Sequence, residues 1–218
     1  LNTSGPAIRD LQPASGLDAN TQAARFAAIE KLNQKHFEDR GDEHLASRMR
    51  SYEMAAKMQA AIPEATNLET ETADAHHLYG LDQPDAADFG RSCLLARRLL
   101  ERGVRFVQLW SGAAFGSDVH WDAHDSVPNN HRREATKIDQ PVAGLLQDLR
   151  QRGMLDETLL VWSGEFGRTP MRENRGGTEM KWVGRDHNPG AFTLWLAGGG
   201  VKPGISLGES DGLGYAAG

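Results

Sequence analysis

Thr158-Leu159-Leu160-Val161-Trp162, followed at once by Ser163-Gly164-Glu165-Phe166-Gly167-Arg168-Thr169-Pro170, is the stretch on which the fold turns. Its first five residues are apolar, β-branched or aromatic, and so predict a short buried strand. The next eight form a glycine-punctuated loop carrying an acid and a base. The same order occurs upstream, where Val104 to Trp110 reads as a strand. It leads toward Ser117-Asp118-Val119-His120-Trp121-Asp122-Ala123-His124-Asp125. Between the two runs, Ile138, Val142, Leu145 and Leu149 recur at helical spacing, and Gly153 is placed to close that helix. Downstream, Gly184-Arg185-Asp186-His187-Asn188-Pro189 precedes a third apolar run, Ala191 to Leu196, which ends in the turn Gly198-Gly199-Gly200. Strands alternating with helices predict an α/β architecture with a largely parallel sheet. In such sheets ligands bind beyond the carboxyl ends of the strands, and the three loops are expected to meet at one sheet edge.

The residues before this unit read differently. Phe26, Ile29 and Leu32 give an apolar stripe to a helix over Thr21 to Lys35. Leu45, Met49, Tyr52, Ala55, Met58 and Ile62 give one to a second helix, expected to end at Pro63. Phe89, Cys93, Ala96 and Leu100 mark a third, with Gly103 at its carboxyl cap. Met49, Met54 and Met58 lie on or beside the second stripe and are read as core packing. The expected organisation is a mainly helical lead-in over residues 1–102, then residues 103–218 as the metal-site half of an incomplete α/β core in the same domain.

The totals narrow the function classes. The chain has 218 residues, 39% hydrophobic and 25% charged, with 30 acidic against 24 basic side chains. That length supports a substantial core, and the acidic excess gives no general attraction for nucleic acid. No apolar run approaches the roughly 18 residues needed to span a membrane. Cys93 is the one cysteine, so no internal disulfide can form, and it is read as a core residue. An opening at Leu1 without an initiator methionine or leader, and a glycine-rich close over residues 208–218, are what a fragment cut at both ends would show.

The loops carry the chemistry. Mixed imidazole and carboxylate ligands suit a transition metal, zinc or manganese foremost, better than calcium or magnesium. In an extended Asp-x-His step both side chains fall on one face, so Asp122 and His124 can reach a common ion, and His120 shares that face. Glu165 is a third candidate, with pairing to Arg168 or helix capping as its plainer roles. His187 is a fourth, with Asp186 expected to orient its imidazole. Arg168 and Arg185 stand beside these ligands, where a guanidinium can hold phosphate or sulfate oxygens. A surface ion pair is the competing role for each. His36, His44, His76, His77 and His131 are read as solvated, and Arg97-Arg98 and Arg132-Arg133 as solvated helix faces.

Taken together, Trp121-Asp122-Ala123-His124, Gly164 to Pro170 and Gly184 to Pro189 resemble the bacterial sulfatase-like family known as domain of unknown function 1501, in the alkaline phosphatase and sulfatase superfamily. Leu78-Tyr79-Gly80-Leu81, Phe89-Gly90-Arg91 and Ala96-Arg97-Arg98-Leu99 are similar to its helical lead-in, which extends the likeness over most of the chain. The resemblance implies an alkaline phosphatase-like sheet between helices. It also implies a metal-dependent hydrolase of small-molecule or glycan phosphate or sulfate esters, exported from the cytoplasm. Asp122, His124, Glu165 and His187 look like its ligand positions. Phe166 stands where many superfamily members carry a histidine, and Cys93 lacks the neighbouring proline of formylglycine sulfatases. An early strand with a nucleophile and a late histidine segment are not seen in this chain, which is therefore expected to be inactive by itself. The alternative is a non-catalytic scaffold that binds an anionic glycan or a structural ion.

Overall fold

The computed structural model describes residues 18–41, 43–112, 121–175, 177–179, 181 and 183–218. Among these described residues five α-helices come first: α1 (Ala19–Arg40), α2 (Glu43–Thr66), α3 (Ala73–Leu78), α4 (Ala87–Glu101) and α5 (Val127–Gln151). Six short strands follow: β1 (Leu159–Trp162), β2 (Gly167–Arg168), β3 (Asn174–Arg175), β4 (Thr178–Glu179), β5 (His187–Asn188) and β6 (Trp195–Gly198). The chain is thus a mixture of helices and small sheets. Among the described residues no helix is long and apolar enough to cross a membrane.

The core lies between α4 and α5. Tyr79, Cys93, Leu94, Leu145 and Leu149 are buried together, with Leu78, Phe89, Leu109, Met154 and Leu160 packed around them. Cys93 is a core residue, as its place on the α4 stripe predicts, and burial pushes its thiol up to about 12. Both helices end as their glycines require. Gly103 and Gly153 take positive φ of 82° and 69°. The amides that follow reach back, Val104 to the Leu99 carbonyl at 3.0 Å and Met154 to the Leu149 carbonyl at 2.8 Å.

Arg97 and Arg98 are not a solvated face. They are only 2% and 6% exposed. Arg97 pairs with Glu71 at 2.6 Å, Glu101 at 2.7 Å and Asp148 at 3.0 Å, and Arg98 pairs with Glu71 and donates to the Ala65 carbonyl at 2.8 Å. The Tyr79 hydroxyl donates to Asp148 at 2.9 Å. A charged pair in sequence can face inward wherever neighbouring elements supply enough acids, and α5 and the turn before α3 do so here. By contrast Arg132 and Arg133 are exposed, as expected.

Other expectations change. Helix α2 runs through Pro63 to Thr66, because a proline in the last turn removes one backbone bond only, and the Thr66 hydroxyl returns to the Ile62 carbonyl at 2.9 Å. Met54 is 63% exposed, and Phe26, Ile29 and Leu32 also face outward, so these positions are not core. Most consequentially, the sheet is not parallel. β1 pairs with β6, β2 with β5 and β3 with β4, all antiparallel. Parallel pairing needs a crossover, normally a helix, and the described chain between Trp162 and Trp195 has none. Among the described residues, 104–110 belong to no named strand: Val107 and Leu109 are half-buried and Phe106 and Trp110 exposed, a strand-like alternation outside the ladders. The third run forms a strand later than expected, over Trp195–Gly198, and the turn Gly198-Gly199-Gly200 has positive φ throughout.

Candidate metal centre

The three loops meet, though not at a parallel sheet edge. Short backbone pairings between segments far apart in sequence bring them together. The Val127 amide donates to the Val183 carbonyl at 2.9 Å and the Arg185 amide to the Ala123 carbonyl at 3.3 Å, clamping residues 123–127 against 183–185. β2 and β5 pair with Arg168 opposite His187, and the Thr169 amide donates to the Asp186 carbonyl at 2.9 Å. The Glu173 amide donates to the Gly184 carbonyl at 2.9 Å. Gly184 makes the clamp possible: a Cβ there would lie 1.7 Å from the His124 carbonyl oxygen. Gly167 does the same in β2, where a Cβ would lie 1.8 Å from the Ala191 carbonyl oxygen.

Three donor atoms converge as a result. His124 Nε2 and His187 Nε2 are 2.9 Å apart, and each is 3.0 Å from Asp122 Oδ1. Tetrahedral zinc with nitrogen and oxygen ligands near 2.0–2.1 Å spaces those ligands about 3.3 Å apart, so the triangle is within about 0.4 Å of what an ion requires. Three electron-rich atoms this close need a positive centre among them, either a proton or a metal ion. Burial pushes the Asp122 carboxyl up, but the Arg168 guanidinium outweighs it, helped by His124 and His187, and holds the group below the usual aspartate range. Asp122 is therefore ionised at neutral pH, as a ligand must be.

The remaining candidates take distinct places. Glu165 Oε1 lies 3.1 Å from His187 Nδ1, close enough for an ion pair without being aligned as a hydrogen bond, so its carboxylate meets the outer edge of the imidazole rather than the shared point. The Phe166 ring packs edge-on to His187 at 5.0 Å between centroids. Asp186 does not orient that imidazole: it accepts from the His187 backbone amide at 2.8 Å and stands 4.0 Å from His124 Nδ1. Arg168 donates to Asp122 and to the Arg185 carbonyl, while Arg185 donates to the carbonyls of Thr169 and Pro170 and so holds the loop after β2. His120 lies outside the described residues.

Two contributors were not picked out from sequence. Glu173, 8% exposed at its side chain, has Oε2 2.7 Å from His124 Nδ1. It stands 49 positions from His124, in a stretch with no motif to flag it. His131, read as solvated, is half-buried, sits 5.6 Å from the Trp121 ring and lines a cleft. That cleft, about 310 Å³, is walled by Ala123, Val127, His131, Arg168, Thr169, Pro170 and Arg185. Its place one turn into α5 is the signal that could have found it.

Comparison with curated proteins and with solved structures found no match for either. A family model matches from end to end: over residues 1–218 the chain belongs to the family described as Protein of unknown function (DUF1501).

Proposed function

We propose that Asp122, His124 and His187 hold a divalent transition metal, zinc or manganese, and that the centre hydrolyses a phosphate or sulfate ester of a small molecule or glycan. The observation that carries this reading is the triangle of donor atoms 2.9–3.0 Å apart. When bound, the ion would polarise the ester oxygens and favour the nucleophile. The chain's own residues do the rest. Arg168, anchored on Asp122 and lining the cleft, presents positive charge to the anionic group as charge develops on it. Arg185 keeps the Thr169-Pro170 wall of the cleft in place. Glu165 lies against the outer nitrogen of His187 and supports its orientation. The sulfatase-like resemblance of the three motifs supports an alkaline phosphatase-type ancestry for the arrangement, and with it an exported protein.

The test is metal content and turnover on the same preparations. The wild-type chain should take up zinc or manganese near one equivalent, and Asp122→Ala and His187→Ala should each abolish this. Unchanged metal content in both variants sinks the assignment. A panel of aryl phosphates, phosphodiesters and aryl sulfates, assayed on the full-length protein with and without chelator, then separates the readings. Turnover lost on chelation supports the hydrolase, whereas metal and anion binding without turnover favours the scaffold.

A further inference from the structure

We infer that Glu173 is a positioning residue, the group that locks His124 in the tautomer able to serve a metal ion; this rests on the metal reading above. The contact is short, 2.7 Å from Glu173 Oε2 to His124 Nδ1. An ionised carboxylate has no proton to donate, so the hydrogen between them belongs to Nδ1. A neutral imidazole with its proton on Nδ1 has its lone pair on Nε2, the atom facing Asp122 Oδ1 at 3.0 Å and His187 Nε2 at 2.9 Å. The carboxylate thus aims the ring and makes Nε2 the more basic donor.

Glu173 is itself held in place. Its side chain is 8% exposed, and its backbone amide is tied to the Gly184 carbonyl at 2.9 Å, on the segment that clamps the His124 loop. Asp186 competes poorly for the same nitrogen, being 4.0 Å away and engaged with the His187 amide. The two histidines are therefore unequal. His124 has a buried, aligned acceptor behind it, while His187 has Glu165, whose side chain is 62% exposed and not aligned. A cluster of His124, Glu173 and Asp186 could be read as a second ion site, with ligand atoms up to 4.8 Å apart. The 2.7 Å separation is instead that of a charge-assisted hydrogen bond.

Two measurements test this. Long-range proton–nitrogen correlation of the metal-free chain, above the ordinary imidazole titration range, reads the tautomer directly. His124 should carry its proton on Nδ1 in the wild type and in Glu173→Gln, which keeps an acceptor oxygen, and should lose that preference in Glu173→Ala. Zinc competition against a chromophoric chelator should show Glu173→Ala weakened about 10- to 100-fold, Glu173→Gln closer to wild type and Glu165→Ala affected less than Glu173→Ala. A wild-type His124 protonated on Nε2, or a Glu173→Ala variant that binds zinc as the wild type does, overturns the inference. Should Glu173→Ala fail to fold, the wild-type and Glu173→Gln tautomers still decide it. A wild type that binds no zinc yet shows the Nδ1 proton sinks the metal reading while supporting the Glu173 lock.

Discussion

Consider a methyl group added at Gly184. Its carbon would lie 1.7 Å from the His124 carbonyl oxygen, 2.3 Å from the carbonyl carbon and 2.9 Å from the Asp125 amide nitrogen, all backbone atoms that cannot rotate away. To reach even 3.0 Å the two segments must part by at least about 1.3 Å. His124 rides on one segment and His187 follows three residues after Gly184 on the other, so the separation passes to the pair. Their Nε2 atoms, now 2.9 Å apart, would open to about 4 Å, beyond the roughly 3.3 Å that a tetrahedral ion spans. Gly184→Ala should therefore lose about 100-fold in zinc affinity, at the upper end of what disturbing a ligand's support costs. Competition with a chromophoric chelator measures it, with Gly212→Ala as control, since a Cβ at Gly212 meets nothing within 4 Å. Gly184 contributes nothing to the core between α4 and α5, so the helical circular dichroism should persist. A folded Gly184→Ala chain that binds zinc within threefold of the wild type would refute the reasoning.

Further outcomes follow from the buried ion network. Arg97→Ala leaves Glu71, Glu101 and Asp148 without the cation they share and should cost about 3–5 kcal/mol in urea unfolding; a loss under about 1 kcal/mol would show that the network relaxes into solvent. Burial pushes the Glu71 carboxyl up, but hydrogen bonds from Arg97 and Arg98 outweigh it and leave it below the usual glutamate range. A folded-state pKa lower than the unfolded one means that this contribution is complete above about pH 4.3. It is lost as pH falls toward and through the folded value. Glu71→Gln should flatten the acid limb of a stability-versus-pH curve, and an unchanged limb would count against the pairing.

Local signals in the chain were read well where one element suffices. The α4 and α5 stripes, the glycine caps at Gly103 and Gly153, the core place of Cys93 and the extended conformation of β1 all follow from neighbours within a few residues, because helix periodicity and capping are short-range; the burial expected of β1 does not hold, since Leu159, Val161 and Trp162 are exposed while Leu160 packs against the core. The candidacy of Asp122, His124 and His187 as ligands rests on equally local grounds, since imidazole beside carboxylate in glycine-rich loops is a composition signal. Other features depend on who faces whom. Arg97 and Arg98 are buried because acids arrive from other elements, and Glu71 lies 26 residues away from Arg97. The direction of strand pairing is of this kind too, because alternation along a run says nothing about its partner, and the described residues between Trp162 and Trp195 supply no crossover helix.

The division at the site itself is sharp. From sequence alone come the donor types, their clustering into three loops and the preference for a transition metal, all properties of side-chain chemistry. Only the tertiary structure decides that two imidazoles and one carboxylate form the triangle, that Glu165 stands outside it and that Glu173 backs His124. Those are relations between segments separated by dozens of residues, held by backbone pairings whose register no single segment encodes.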